Sequence, residues 1–186
     1  MESMGKKSPG KNREEVFCAG FGGQGIMFMG KLLAEAALMA SRHVTWMPSY
    51  GAEVRGGTAY SMIKVSESEI ASPIVKNPDV LIAMNRPSLL KYEGSVRPGG
   101  MIILNRTLSD ALPKRKDIKA LNIPMTKIAA SLGNTRCANM IAVCAFLKRS
   151  RMLSLRYAVS ALKKMLKDKE DLFILNKKAL EKGYRL

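Results

Sequence analysis

The chain has 186 residues, 47% of them hydrophobic, enough to bury one core with no need of a second domain. Its formal net charge of +16 points to nucleic acid, acidic proteins or phosphorylated ligands, or to nothing more than a solvated lysine-rich surface. Three scattered cysteines, Cys18, Cys137 and Cys144, argue against a zinc or iron–sulfur site carried by this chain, and against a secreted disulfide framework, so a cytoplasmic chain with no metal ligands is expected.

Residues 1–13 are polar and basic without the apolar centre of a signal peptide, and no later run approaches membrane-spanning length. They read as a disordered tail, followed by one domain over 14–186. Val16 to Gly25 is an apolar run that breaks into four glycines, the pattern of a strand, a tight turn and a helix start. Ile26, Met27, Met29, Leu32, Leu33, Ala36, Ala37 and Met39 continue at helical spacing to about Ser41. The lone histidine, His43, falls at the end of that helix and has no carboxylate or cysteine near it in sequence, so a surface role is expected.

Val44–Met47 has strand character and Thr58–Val65 alternates. Between them Pro48–Gly57 packs Tyr50, Glu53, Arg55 and three glycines into one loop. Such a loop reads as a site, or as a long bend with solvated charges. Asp79–Met84 and Met101–Asn105 are apolar runs of the kind a parallel sheet covers on both faces, separated by a helix from Pro87 to about Val96. Lys119–Ile123 is a short last strand. Ile128–Leu132 is a short helical piece; Asn134 or Thr135 caps a helix whose Met140, Ile141, Cys144, Ala145 and Leu147 form a buried stripe, and two further helices carry Leu155–Leu166 and Leu172–Leu180. The order predicts an α/β fold: a single doubly wound, mostly parallel sheet flanked by helices, with C-terminal helices.

Gly20, Gly22 and Gly25 satisfy Gly-x-Gly-x-x-Gly at a strand-to-helix turn. A dinucleotide site also needs an acid after the second strand, and Thr45-Trp46-Met47-Pro48 supplies none. A phosphate does not need that acid, because the amides of Gly22, Gly23 and Gln24 and the helix N-terminus attract it themselves, with Lys31 as a further charge. The same glycines read equally well as a turn that serves only close strand–helix packing, and the Walker loop is excluded because no Gly-Lys-Ser/Thr follows. Glu53 and Arg55 are the candidates for contact with a reacting group. Nucleic-acid binding finds no motif, and aromatics make up only 6%.

At these residues the sequence resembles the gamma subunit of the 2-oxoacid:ferredoxin oxidoreductases. The resemblance rests on Gly20–Gly25, Pro48–Gly57, Asn77–Leu89, Arg97–Gly100, Gly133–Met140 and Asn176–Tyr184, in order, and covers Val16 to the C-terminus. It implies a complex of alpha, beta and ferredoxin-like delta subunits that decarboxylates a 2-oxoacid, favoured as 2-oxoglutarate, forms acyl-coenzyme A and reduces ferredoxin. Thiamine diphosphate, magnesium and the iron–sulfur clusters would lie in the partner subunits. This chain would be inactive alone, would complete the coenzyme A side of the active site through Gly22, Gly23, Gln24, Gly25 and Lys31, and would contribute Glu53 and Arg55. The alternative is a free Rossmann-like nucleotide-binding module.

Overall fold

A computed structural model describes residues 13–50 and 58–185. Its central strand is β1 (Arg13–Phe21), whose side chains alternate between two apolar layers. Val16 and Cys18 face one layer, Phe17 and Ala19 the other. Arg13, placed with the tail on sequence grounds, already pairs with Ser66 as the first residue of this strand.

The other elements follow as α1 (Ile26–Met39), β2 (His43–Tyr50), β3 (Thr58–Ser66), β4 (Val80–Ala83), α2 (Arg86–Tyr92), β5 (Met101–Asn105), β6 (Lys119–Ile123), α3 (Met125–Ser131), α4 (Ala138–Leu147), α5 (Leu155–Met165) and α6 (Glu170–Tyr184). The six strands lie in the order β2-β3-β1-β4-β5-β6. β1, β4, β5 and β6 pair in parallel, while β3 is antiparallel to both β1 and β2. The sheet is therefore mostly parallel, as expected, with a hairpin-like margin on one side.

Helices α1 and α3 to α6 belong to the layer that Val16, Cys18, Ile82 and Ile103 face. Against the opposite layer, built on Phe17, Leu81, Ile102 and Leu104, packs α2, with irregular chain around Val75, Ala111 and Ile118. The chain thus leaves β1 toward one face and β4 toward the other. Their carboxyl ends are separated by a crevice, the place where open α/β sheets bind ligands.

Several boundaries differ from the sequence expectation for identifiable reasons. α1 stops at Met39 because Ser41 adopts a left-handed backbone, φ 53°. His43 is then the exposed first residue of β2. That strand runs through Pro48 because β2 is a sheet edge, where a missing N–H is tolerated. Asn85 caps α2 through its Oδ1, which accepts the Ser88 N–H at 2.9 Å, and the helix tightens into a 3₁₀ turn at Glu93–Ser95. α3 starts at Met125, three residues before the predicted Ile128. α4 buries all ten of its residues rather than one stripe, because the sheet and α1 press on one side and α6 on the other. At the start of α6, Leu172 remains 44% exposed and Ala179 and Leu180 make the contact.

Gly30 sets how closely α1 approaches the antiparallel margin. A Cβ there would fall 2.0 Å from Ser61 Oγ and 2.7 Å from Trp46 Nε1, the two atoms joined by a 2.7 Å hydrogen bond between β2 and β3. Gly30→Ala is therefore expected to lower the unfolding free energy by about 1–3 kcal/mol, the usual cost of overpacking, as read from urea denaturation.

Candidate functional site

The glycine turn follows β1 and meets the end of β4 through Gln24, which contacts Met84 and Asn85. Gly23 and Gly25 have φ 87° and 73°, in the left-handed region that a side chain disfavours. Gly25 is the N-cap of α1 and offers no capping side chain. Among the described residues the amides of Gly22, Gly23 and Gly25 have no hydrogen-bond partner, so the turn presents unpaired donors beside a helix N-terminus.

Gln24 does different work from its neighbours. Its amide donates to the Phe21 carbonyl at 3.2 Å, closing the turn instead of facing outward. Its side-chain Oε1 accepts the Phe21 N–H at 2.7 Å and an Asn85 Nδ2–H at 2.9 Å, and its Nε2 lies 3.4 Å from the Met84 carbonyl. Gln24 is therefore a brace between the turn and the end of β4. Lys31 is exposed on the second turn of α1 and lines neither of the two hollows beside the glycines.

The network continues around the strand ends. Asn105, fully buried at the end of β5, donates to the Met84 carbonyl at 3.3 Å and to Thr126 Oγ1 at 2.9 Å. Its Oδ1 accepts the Thr126 N–H at 3.3 Å. Asn139, in the first turn of α4, donates to the Gly25 carbonyl at 3.4 Å. A Cβ on Gly25 would fall 2.3 Å from that Asn139 Nδ2, so this position excludes a side chain on packing as well as backbone grounds.

Beside these contacts lies an open hollow of about 180 Å³, among whose lining residues are Gly23, Gln24, Met84, Thr126, Thr135 and Arg136. Arg136 is exposed, and its backbone N–H is held by Asn134 Oδ1 at 2.9 Å, which sets the start of the 3₁₀ turn Thr135–Cys137. Arg136 and the Gly23 amide make this a suitable place for an anion. On the other side of the turn a hollow of about 300 Å³ is lined by Phe21, Gly22, Ile26, Phe28 and Tyr50.

Glu53 and Arg55 lie outside the described residues. The ends of their loop are nonetheless located: Thr58 pairs with Phe21, and Tyr50 with Ala59. Both ends sit at the sheet edge that carries the glycine turn. The register thus brings Tyr50 and Thr58, the described residues on either side of that stretch, to the end of β1 where the glycine turn begins.

Burial pushes the Cys144 thiol up to about 12 and raises Cys18 and Cys137 as well, so all three behave as packing residues and none as a nucleophile. Among the described residues no group of three or more His, Cys, Asp or Glu could hold a metal ion, and no helix is long and apolar enough to cross a membrane. Sequence reasoning assigned no role to Asn85, Asn105, Thr126, Arg136 or Asn139. Asn85, Arg136 and Asn139 lie inside stretches that carry the family resemblance, and Asn105 is a polar residue closing an apolar strand; those were the available signals.

Gln24→Ala removes the acceptor of two hydrogen bonds and is expected to cost about 1–3 kcal/mol in urea denaturation. Gly22→Ala, whose added Cβ meets nothing within 4 Å among the described residues, should stay within about 0.5 kcal/mol of the parent.

Residues 15–186 match the pyruvate ferredoxin/flavodoxin oxidoreductase family. The chain is 43% identical over 124 residues to ketoisovalerate oxidoreductase subunit VorA of Methanothermobacter marburgensis, over 67% of this chain and 26% of that one, so it spans about a quarter of that relative's length. It is 33% identical over 158 residues to 2-oxoglutarate synthase subunit KorC of Methanothermobacter thermautotrophicus, over 81% of this chain and 84% of that one. In fold it resembles 2-oxoglutarate:ferredoxin oxidoreductase from Magnetococcus marinus, solved with 2-oxoglutarate, coenzyme A and succinyl-CoA bound (TM-score 0.86, 24% identity, 95% of this chain and 31% of that one). It also resembles the keto/oxoacid ferredoxin oxidoreductase gamma subunit from Geobacter sulfurreducens (TM-score 0.80, 26% identity, 92% and 96% covered). The chain belongs to the pyruvate ferredoxin/flavodoxin oxidoreductase family, as a chain of gamma-subunit type.

Proposed function

We propose that this chain serves a 2-oxoacid:ferredoxin oxidoreductase by binding the phosphate groups of coenzyme A at its glycine turn. The observation that carries the reading is the Gly23 amide, which has no partner among the described residues and lines the same hollow as Arg136, with the Gly22 and Gly25 amides next to it on the turn. The coenzyme A bound in the Magnetococcus marinus enzyme, which shares the fold, supports this choice of ligand. Arg136 takes the role of charge partner that the sequence offered to Lys31.

The reaction is the conversion of a 2-oxoacid to an acyl-coenzyme A with reduction of ferredoxin. 2-Oxoglutarate is the preferred substrate, since the likeness to the 2-oxoglutarate synthase subunit spans most of both chains. Thiamine diphosphate supplies the carbanion chemistry and iron–sulfur clusters the electron path. The described residues of this chain suit neither: its thiols are buried and dispersed, and no acidic cluster fits magnesium. We assign those groups to alpha, beta and ferredoxin-like delta partners in the cytoplasm. This chain binds and orients the thiol substrate. We assign Glu53 and Arg55 to the shared active site, since Tyr50 and Thr58, the described residues on either side of their loop, lie beside the end of β1.

The topology also weighs against a free dinucleotide-binding module. β3 lies between β1 and β2, so the end of the second strand stands two strand spacings, roughly 10 Å, from β1 rather than one. An acid there would be poorly placed for a ribose on the turn.

Thermal shifts of the isolated chain with coenzyme A, NAD and FAD test the ligand. Coenzyme A at a hundredfold its dissociation constant should stabilise the fold by about 2.7 kcal/mol. Arg136→Ala should weaken that binding about tenfold, the loss of one charge-assisted hydrogen bond. A response to NAD with none to coenzyme A would sink the reading. In the assembled complex, Glu53→Gln and Arg55→Ala should lower turnover while the subunits still co-purify; undiminished turnover would remove both from the site.

A further inference from the structure

A separate hollow of about 310 Å³ opens at the far end of the parallel strands, at their amino ends. Glu14 near the start of β1, Asp79 just before β4, Gly100 just before β5 and Lys119 at the start of β6 meet there, and the segment after α4 adds Arg149 and Arg151. Along β1 this is roughly 25 Å from the glycine turn. Nothing in the coenzyme A reading uses it.

Its charges are unequally committed. Glu14 accepts hydrogen bonds from Ser150 Oγ and from the Arg151 N–H, the latter at 2.8 Å. Asp79 accepts the Glu15 N–H at 2.8 Å and is ion-paired with Arg97. Both carboxylates are thus directed at donors of the chain itself. Arg149 donates one N–H to the Ala145 carbonyl at 3.0 Å and keeps the rest of its guanidinium available. The side chains of Lys119 and Arg151 are exposed and make no hydrogen bond or ion pair among the described residues. Beneath these cations Phe146, Met101 and Val80 form an apolar wall, and a low-dielectric wall strengthens the field in a concave site.

We propose that this hollow is a second anion-binding site, taking a small, multiply charged oxyanion of the polyphosphate or polycarboxylate class. Arg149, Arg151 and Lys119 hold the charge, and the Glu14 contacts fix the segment that carries the two arginines. The site stands independently of the coenzyme A reading.

Isothermal titration of the full chain with tripolyphosphate and with citrate, at ionic strength held constant by NaCl, tests it. Saturable binding is expected, weakened about tenfold or more in the Lys119→Ala/Arg151→Ala pair. Lys163→Ala/Lys178→Ala removes the same charge from exposed positions on α5 and α6 and should bind as the parent does. Arg136→Ala, at the other end of the strands, should also retain binding, which separates this site from the glycine turn. Lys119→Ala alone, a milder surface change, should show an intermediate loss. Heats no larger than those of NaCl, or equal losses in the two double variants, would overturn the proposal.

Discussion

The side-chain oxygen of Gln24 joins two parts of the chain that are 61 residues apart. By accepting the Phe21 N–H and an Asn85 N–H together, it fixes the end of β1 to the cap of α2. Asn85 can serve as that cap because its Oδ1 remains available for Ser88 while its Nδ2 reaches Gln24. The two helices that leave the sheet in opposite directions are therefore positioned by one shared amide pair. The amides of Gly22, Gly23 and Gly25 then need no partner among the described residues, since the turn does not rely on them for its closure. Buried polar networks of this kind cost stability when half satisfied and specify a unique geometry when complete.

The same division of labour recurs around the strand ends. Asn105 joins β5 to α3 through Thr126, and Asn139 joins α4 to the turn through the Gly25 carbonyl. Each amide side chain takes up the backbone groups where a strand stops and a helix begins, groups that would otherwise need water. The result is an edge framed by side-chain amides, in which the buried Asn139 Oδ1 still lacks a partner among the described residues. The opposite edge has a different character, with salt-bridged and hydrogen-bonded carboxylates and a surplus of cations.

The fold was largely legible because its information is local. Alternating or continuous apolar runs marked β1, β3, β4 and β5, and helical spacing marked α1, α5 and α6. What was misjudged involved neighbours. The stripe expected on α4 became an all-buried helix only because α6 covers its outer side. The reach of β2 through Pro48 depended on its being an edge, which follows from strand order and not from composition. In the site, the four glycines were visible as a turn, but the bracing contacts of Gln24 and the position of Lys31 outside both hollows were not. Their roles depended on where side chains point, which spacing along one helix does not reveal.

The sequence by itself determined the strand–turn–helix unit at Gly20–Gly25, the α/β class, the absence of a cysteine cluster and the likeness to a family of oxidoreductases. These rest on residue type and short-range order, because glycine's backbone freedom and the periodicity of apolar side chains act over a few positions. Tertiary structure alone decided that Arg136, and not Lys31, lines the hollow beside Gly23, that the Gln24 side chain is a brace, and that Tyr50 and Thr58 on either side of the second loop come to the same edge. Those facts depend on strand register and on contacts across 60 to 114 residues of chain, which only folding brings within a few ångströms.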